Sequence, residues 1–169
     1  MRFLIIFIIL ISNTLANETP NIKNIVINKE LKTYDNITFL DINKKTIRLV
    51  DYEGSLVLLN FWATWCAPCK EEMPSLDILK DNTSLDNLEI FPINIGKDNL
   101  KKSKKFFEDL EIKSLNIYFD NEITLAKDFN LRGVPTTILF NKKGEEFARI
   151  IGSIDFEDKE FIKWIKKYN

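Results

Sequence analysis

The chain has 169 residues, of which 45% are hydrophobic and 29% are charged, and its formal net charge at pH 7 is -1. This composition is typical of one globular domain with a sizeable core. A net charge so close to zero provides no general attraction to nucleic acid or to an acidic membrane surface. We therefore expect a single folded domain that does not bind nucleic acid.

The first 16 residues are predicted to be a secretory signal peptide. Arg2 precedes an unbroken apolar run at residues 3–11, and Thr14 and Ala16 occupy the minus-three and minus-one positions of a cleavage site. The run is much shorter than the roughly 20 residues that a membrane-spanning helix needs, so a retained anchor is the alternative. We expect residues 17–35 to form a loosely ordered lead-in, and the protein to work in the periplasm or on the outer face of the cytoplasmic membrane.

The first predicted elements of the domain are a hairpin, a buried strand and a helix. Residues 37–50 predict a hairpin around the polar turn at Asn43. The run from Leu56 to Trp62 is almost wholly apolar and of strand length, which indicates a strand buried on both faces of a sheet. Pro68 suits the first turn of a helix, and apolar residues at helical spacing extend that helix to about Asp81.

The rest of the chain alternates between strands and helices. Strands are predicted at residues 89–95, 116–119, 136–141 and 145–152, and helices are predicted after Asp98, at residues 123–129 and after Asp155. Asp98 and Asp155 are the expected caps of the helices that follow them. Elements that alternate in this way and end in a hairpin predict an α/β fold with a mixed central sheet.

Cys66 and Cys69 are the only cysteines, and the chain contains no histidine. A structural zinc site normally takes four Cys or His ligands, and a covalent haem site needs a histidine where this chain has Lys70. A structural disulfide across so short a loop contributes only about 2 kcal/mol on the chain-entropy model. We therefore interpret the pair as redox-active and expect no metal and no cofactor beyond its own disulfide.

The predicted strand, turn and helix place Cys66 at the N-terminus of the helix. Unpaired backbone N–H groups and the positive end of the helix dipole favour a thiolate there. Cys69 lies one turn further on the same face and is expected to be more buried, so Cys66 is the predicted attacking thiol and Cys69 the resolving thiol. Trp65 is either a contact surface for a partner beside the nucleophile or a core residue.

Two segments together resemble a known family: FWATWCAPCKEEMPSL at residues 61–76 and GVPTTILFNKKGE at residues 133–145. They resemble the thioredoxin superfamily and, within it, the exported thiol-disulfide oxidoreductases of TlpA/ResA type. The resemblance implies a thioredoxin-like fold for residues 36–169, with an N-terminal hairpin and an inserted strand and helix between residues 89 and 119.

The resemblance also implies roles for two residues of the second segment. Pro135 resembles the cis-proline that faces the disulfide in this superfamily, and the backbone of Val134 is then expected to pair with an extended substrate segment. The residues alone predict only a proline that opens a strand, for which a trans peptide is the default. Asn60 stands where thioredoxin has a buried aspartate, but relatives of TlpA/ResA type often carry Asn there.

The sequence departs from these relatives at Lys97. They often have a glutamate after an Asn-x-Gly in the inserted strand, near the cysteines, whereas Asn94-Ile95-Gly96 is followed here by Lys97. The resemblance would place Lys97 close to the thiols. The alternative is that Lys97 points to solvent and Asp98 only caps its helix, and Lys97 and Asp98 are both candidates for tuning the thiols.

We expect the protein to exchange its thiols with disulfides of partner proteins. No flavin or nicotinamide fingerprint occurs in the chain, so re-reduction by a membrane electron donor is expected. The resemblance favours a net reductant, with relatives in cytochrome c maturation, and the protein is expected to be a monomer. The alternatives are a disulfide oxidant, a peroxiredoxin-like peroxidase that uses Cys66, and a non-enzymatic module that binds clients in the groove at Pro135.

Overall fold

The apolar run before the two cysteines forms the central strand of the sheet. In the computed structural model, which describes residues 20–120 and 124–169, every residue of Leu56–Trp62 is buried. Its side chains alternate between two apolar clusters, because successive residues of a strand point to opposite faces. Trp62 packs into one cluster and Phe61 into the other. The strand is thus covered on both faces, as its apolar sequence predicts.

The described residues contain one sheet and four α-helices. The strands are β1 (Ile25–Lys32), β2 (Thr38–Asp41), β3 (Thr46–Arg48), β4 (Leu56–Trp62), β5 (Leu88–Asn94), β6 (Tyr118–Phe119), β7 (Thr136–Phe140) and β8 (Glu146–Ile151). The helices are α1 (Ala67–Lys80), α2 (Leu100–Asp109), α3 (Thr124–Asp128) and α4 (Lys159–Ile165), with 3-10 turns at Leu49–Tyr52 and Lys166–Tyr168. No helix in this part of the chain is long and apolar enough to cross a membrane.

The sheet is mixed, with the strand order β1-β8-β7-β4-β5-β6-β2-β3. The pairs β4 with β5 and β5 with β6 are parallel, and all other neighbours are antiparallel. The predicted α/β fold with a mixed central sheet, a hairpin near the N-terminus (β2 and β3) and an inserted strand and helix (β5 and α2) is therefore confirmed. β4 lies in the middle of the sheet, between β5 and β7.

The lead-in is more ordered than its polar sequence suggests. Residues 25–32 form β1, which pairs with β8 along the edge of the sheet, so the prediction of a loosely ordered segment is wrong for these residues. Ile25 and Ile27 alternate inward onto the core, but the pattern is too short to stand out without the partner strand. The predicted signal peptide, residues 1–16, lies outside the described residues.

A buried ion pair also fixes the end of the lead-in. Glu146 is buried and accepts hydrogen bonds from Arg149 (2.7 Å), Asn28 (2.8 Å) and the hydroxyl of Tyr34. Burial raises the pKa of Glu146, but the hydrogen bonds from Arg149, Asn28 and Tyr34 outweigh it and hold the pKa below its ordinary value. The charged pair on β8 therefore ties the segment that carries Asn28 and Tyr34 to the sheet.

Two predicted helix caps are wrong. Asn99 caps α2, accepting from the backbone N–H of Lys102 at 2.9 Å, because the side chain of Asp98 turns to a different partner, described below. Asp158 caps α4, because the carboxylate of Asp155 accepts from the N–H of Glu157 in a preceding turn. Such competition between local hydrogen bonds is common for Asp and Asn near helix starts.

Asp77 joins α1 to the chain that leads into β6. It is 9% exposed, and its carboxylate accepts hydrogen bonds from three consecutive backbone N–H groups, those of Lys113 (3.0 Å), Ser114 (2.8 Å) and Leu115 (2.9 Å). Without this carboxylate, the three donors would lose their partner in a site that water reaches poorly.

We therefore expect Asp77→Ala to lower the free energy of unfolding by about 2–4 kcal/mol, because hydrogen bonds to a charged group contribute more than neutral ones and leave donors unsatisfied when removed. Urea denaturation followed by circular dichroism measures it. The matched control is Asp86→Ala, at an exposed position, which should change stability by less than about 0.5 kcal/mol. Equal losses in both variants would contradict the role of Asp77.

Candidate active site

Cys66 begins helix α1 at the end of a tight turn that follows β4. The backbone N–H of Cys66 donates to the carbonyl oxygen of Ala63 at 3.1 Å, which closes the turn. Cys66 is the N-cap of α1, and its Sγ accepts a hydrogen bond from the N–H of Cys69 at 3.2 Å. The predicted place of Cys66 at a helix N-terminus is confirmed, and a backbone donor aimed at Sγ favours a thiolate at Cys66.

The two cysteines form a disulfide, with their Cα atoms 5.3 Å apart. Cys66 is 4% exposed and Cys69 is 0% exposed, so Cys69 is the more buried of the two, as predicted. A partner molecule approaching from solvent reaches Cys66, the residue with some exposure, before Cys69. The geometry therefore suits attack at Cys66 and an internal role for Cys69.

Three segments meet at the end of the sheet where Cys66 lies. Phe61 on β4 pairs with Thr136 on β7, and Trp62 pairs with Asn94 on β5. The chain before β7 and the loop after β5 therefore flank the turn that leads to Cys66. The Val134–Pro135 peptide bond, just before β7, is cis, which confirms the conformation that the family resemblance implies, while the substrate-binding role of Val134 and Pro135 stays a prediction.

Trp65 and Trp62 have opposite environments. Trp65 is 70% exposed, whereas Trp62 is 0% exposed and packs against Phe106 and Phe107 of α2. The alternative that Trp65 is a core residue is therefore wrong. Trp65 precedes Cys66 in the chain, and Nε1 of its indole lies near Gly96 of the loop after β5, so its exposed ring can contact a partner protein.

The positions of Lys97 and Asp98 settle the two alternatives for the loop after β5. Lys97 is exposed, with a backbone φ of 56°. The side chain of Asp98 turns instead toward the active-site turn, where its Oδ2 accepts from the backbone N–H of Thr64 at 3.0 Å and from Nδ2 of Asn94 at 3.2 Å. Asp98, and not Lys97, is thus the charged residue of this loop that contacts the turn before Cys66.

The pKa of the Asp98 carboxyl lies below its ordinary value. Partial burial raises this pKa, but the hydrogen bonds from Thr64 and Asn94 and the nearby charge of Lys102 outweigh that effect. Asp98 is therefore a carboxylate at neutral pH and is a poor proton acceptor.

A buried glutamate behind the disulfide was missed by the sequence interpretation. Glu72 is 2% exposed, and its Oε1 accepts from Nδ2 of Asn60 at 2.8 Å, while the same Asn60 nitrogen lies 2.9 Å from Oγ1 of Thr137. Oε2 of Glu72 has no hydrogen-bond partner among the described residues. Burial raises the pKa of Glu72 to about 8, and the hydrogen bond from Asn60 and the backbone amide of Ile154 oppose this only in part.

The sequence did contain a signal for Glu72. On a helix, residues three and four apart lie on the same face, so Cys69, Glu72, Met73 and Leu76 form one stripe, and the structure buries all of it. An acidic residue within an apolar helical stripe is costly to bury unless it has a partner or binds a proton. The position of Glu72 three residues after Cys69 therefore indicates a buried carboxyl on the helix face that carries Cys69.

A surface cleft of about 330 Å³ opens beside Glu72. It is lined by residues of α1 and of the segment after β8, namely Glu71, Glu72, Ser75, Ser153, Ile154 and Asp155. The hydroxyl of Ser75 accepts from the N–H of Phe156 at 3.0 Å, which holds that segment against α1. The cleft therefore brings solvent near the buried carboxyl.

The described residues do not meet the requirements of a metal centre. Within residues 20–120 and 124–169, no three His, Cys, Asp or Glu side chains are placed to hold a metal ion. The groups that can carry chemistry at this end of the sheet are the disulfide and the Glu72 carboxyl.

Comparison with known proteins gives consistent matches. The model of the AhpC/TSA family matches residues 23–145. The thiol-disulfide oxidoreductase ResA of Geobacillus kaustophilus is 34% identical over 128 residues, which are 76% of this chain and 72% of that protein. The residues matched by the family model include both cysteines, Glu72, Asp98 and Pro135.

Two solved structures at 25% identity are also similar. StoA of Bacillus subtilis has a TM-score of 0.63 over 76% of this chain and 94% of its own. The exposed lipoprotein thioredoxin of Streptococcus pneumoniae has a TM-score of 0.61 over 78% of this chain and 98% of its own. The thioredoxin-like fold implied by the sequence is therefore confirmed.

The raised pKa of Glu72 predicts a specific dependence of stability on pH. In the unfolded chain the carboxyl releases its proton near pH 4.5, whereas in the folded protein it keeps the proton up to about pH 8. Its contribution to stability is full below pH 4.5 and is lost as pH rises to about 8, by roughly 5 kcal/mol in total. Glu72→Gln should lack this loss, so its stability relative to wild type should increase across that range.

Urea denaturation of the oxidised proteins at a series of pH values measures the difference. The control is Glu71→Gln, which removes a carboxyl from the neighbouring exposed position and should follow the wild-type profile. A constant difference between Glu72→Gln and wild type at every pH would show that Glu72 has no raised pKa.

Proposed function

Because the chain belongs to the AhpC/TSA family and is a thiol-disulfide oxidoreductase of the ResA, thioredoxin-like type, we propose that it works outside the cytoplasm and reduces disulfides of partner proteins. The family and the enzyme class predicted from the sequence are confirmed. The observation that carries the proposal is the asymmetry of the disulfide: Cys66 caps a helix and has some exposure, and Cys69 is fully buried.

The proposed reaction is a two-step thiol-disulfide exchange. The Cys66 thiolate attacks one sulfur of the partner's disulfide, that S–S bond breaks, and a mixed disulfide forms while the released partner thiolate takes a proton. The Cys69 thiolate then attacks Cys66, the mixed disulfide breaks, and the second partner thiolate takes a proton. Two electrons have passed to the partner, and Cys66 and Cys69 are joined as a disulfide.

We propose that Glu72 accepts a proton in the second step when its carboxyl is ionised; with a pKa of about 8 it holds its own proton in most molecules at pH 7, so this step should become faster as pH rises toward 8. Cys69 must lose its proton before it can attack, and Glu72 lies three residues further along the same buried face of α1. The pKa of Glu72, about 8, is near the ordinary thiol pKa of about 8.5, so the transfer is nearly balanced in free energy. The cleft beside Glu72 gives the proton a way to solvent.

The partner segment is proposed to bind beside Cys66. Exposed Trp65 provides apolar contact area on one side of the turn, and the backbone of Val134, next to Pro135, provides hydrogen-bonding groups on the other. The family resemblance supports partners in cytochrome c maturation and a membrane electron donor that returns the protein to its dithiol form. The signal-peptide pattern of residues 1–16 supports a location outside the cytoplasm, where disulfides persist.

The division of labour between the cysteines can be tested by trapping. Cys69→Ser should accumulate mixed disulfides with a disulfide-containing protein such as insulin, because the resolving thiol is missing. Cys66→Ser should form at least about tenfold fewer, because Cys69 is buried. Non-reducing electrophoresis of the reduced variants after incubation with insulin measures the adducts, and equal trapping by the two variants would exclude the assigned roles.

The direction of the reaction can be tested through the midpoint potential. We expect the Cys66–Cys69 couple, equilibrated with glutathione, to lie nearer to about -270 mV, as in a reductant, than to about -120 mV, as in an oxidant. A value near the latter would make the protein a disulfide oxidant. Rapid consumption of hydrogen peroxide without reduction of insulin would instead favour a peroxidase, and client binding that survives loss of both cysteines would favour a binding module.

A further inference from the structure

The loop after β5 packs unusually closely against the active-site turn. The N–H of Ile95 donates to the carbonyl oxygen of Trp62 at 3.0 Å. A Cβ added to Gly96 would lie 2.7 Å from Cβ of Ala63 and 3.2 Å from Nε1 of Trp65. Real Cβ atoms essentially never come within 3.0 Å of another atom in this way. A glycine at residue 96 therefore allows the loop to contact the turn before Cys66.

Asp98 makes the polar contact between this loop and the turn. Its Oδ2 accepts from the N–H of Thr64, and Thr64 lies inside the turn that the N–H of Cys66 closes on the carbonyl of Ala63. Asn94, which is 2% exposed, orients the carboxylate: its Nδ2 donates to Asp98, and its Oδ1 accepts from the N–H of Gly96 at 2.9 Å. The buried side chain of Asn94 thus orients the Asp98 carboxylate toward the backbone N–H of Thr64, two residues before Cys66.

We propose that Asp98 is a positioning residue for Cys66: its carboxylate holds the active-site turn through Thr64, and its negative charge disfavours the thiolate at Cys66. The inference rests on the proposed function, since it assigns a tuning role at the same site. The two parts are separable, because an amide at residue 98 keeps a hydrogen-bond acceptor for Thr64 and removes the charge, whereas alanine removes both.

Several other charges surround the turn and set the sign of the expected effect. Charged residues on the elements around it include Lys70, Glu71 and Glu72 on α1, Lys97 on the loop, Lys102 on α2 and Arg132 before β7. Four of these are cations, which favour the thiolate, and Glu72 holds its proton up to about pH 8. The Asp98 carboxylate opposes the cations, and it is the acidic group that hydrogen-bonds the turn through Thr64. Glu71 is a second acidic side chain, exposed to solvent.

Removal of the charge should lower the pKa of the Cys66 thiol. In the Cys69→Ser background, where Cys66 is the one thiol, Asp98→Asn should lower that pKa by about 0.5–1, because a carboxylate within about 10 Å at a protein surface raises a thiol pKa by this amount. The ultraviolet absorbance of the thiolate, followed against pH, measures it. The matched control is Asp109→Asn, which removes the same charge from the far end of α2, where Asp109 is exposed and pairs with Lys105.

Loss of the hydrogen bond should loosen the turn. Amide hydrogen exchange at Thr64 should be at least about tenfold faster in Asp98→Ala than in wild type and should stay within about threefold of wild type in Asp98→Asn. Mixed-disulfide formation with insulin should be slower in Asp98→Ala than in Asp98→Asn. If Asp98→Ala does not fold, titration of Asp98→Asn still tests the effect of the charge. Amide exchange at Thr64 in Asp98→Asn then tests whether the amide oxygen still accepts the hydrogen bond from Thr64.

Each part can fail independently. Superimposable titrations of Asp98→Asn and wild type, or an equal shift in Asp109→Asn, would overturn the electrostatic role. Unchanged Thr64 exchange in a folded Asp98→Ala would overturn the positioning role. Both readouts are made on the free protein without a substrate, so they stand or fall separately from the trapping experiment that tests the proposed function.

Discussion

The hydrogen bonds of β4 to strands on both sides hold the active site together. β4 pairs in parallel with β5 and antiparallel with β7, and both of its faces are covered by apolar side chains. Because β4 is paired on both sides, the active-site turn that leads to α1 begins at the C-terminal end of β4, at one edge of the sheet. The loop with Asp98 and the chain before Pro135 reach the same edge because β5 and β7 are its neighbours. The position of β4 between β5 and β7 thus brings Cys66, the loop with Asp98 and the chain at Pro135 to the same end of the sheet.

Two acidic residues, Glu72 on α1 and Asp98 on the loop after β5, have pKa values displaced in opposite directions. Glu72 is shut into the interior, so burial dominates and raises its pKa to about 8. Asp98 lies partly at the surface, where hydrogen bonds from Thr64 and Asn94 outweigh burial and lower its pKa. The same functional group is therefore protonated at neutral pH in one place and charged in the other. The degree of burial, set against the hydrogen bonds that each carboxyl group accepts, decides which form is present.

Elements with local sequence patterns could be predicted from the residues alone. The apolar run Leu56–Trp62 coincides with β4 residue for residue, and the placement of Cys66 at the start of a helix followed from the strand, Pro68 and the helical spacing after it. These features need no knowledge of distant contacts, because a continuous apolar run, helical periodicity and the place of a proline in the first turn of a helix are local patterns. The cis peptide at Pro135 was different: the residues alone predict a trans peptide, and only the family resemblance implied the cis form.

The tertiary structure decided the features that depend on residues far apart in the chain. β1 becomes a strand because β8 offers it a partner more than a hundred residues later, and Asn99 replaces Asp98 as a helix cap because Thr64 attracts the Asp98 carboxylate. The sequence left open whether Trp65 is buried or exposed, and the structure places it at the surface, 70% exposed. Glu72 acquires its raised pKa from burial in the fold, which outweighs the lowering effect of the hydrogen bond from Asn60. A side chain's partners, and with them its charge, are set by which segments the fold brings together.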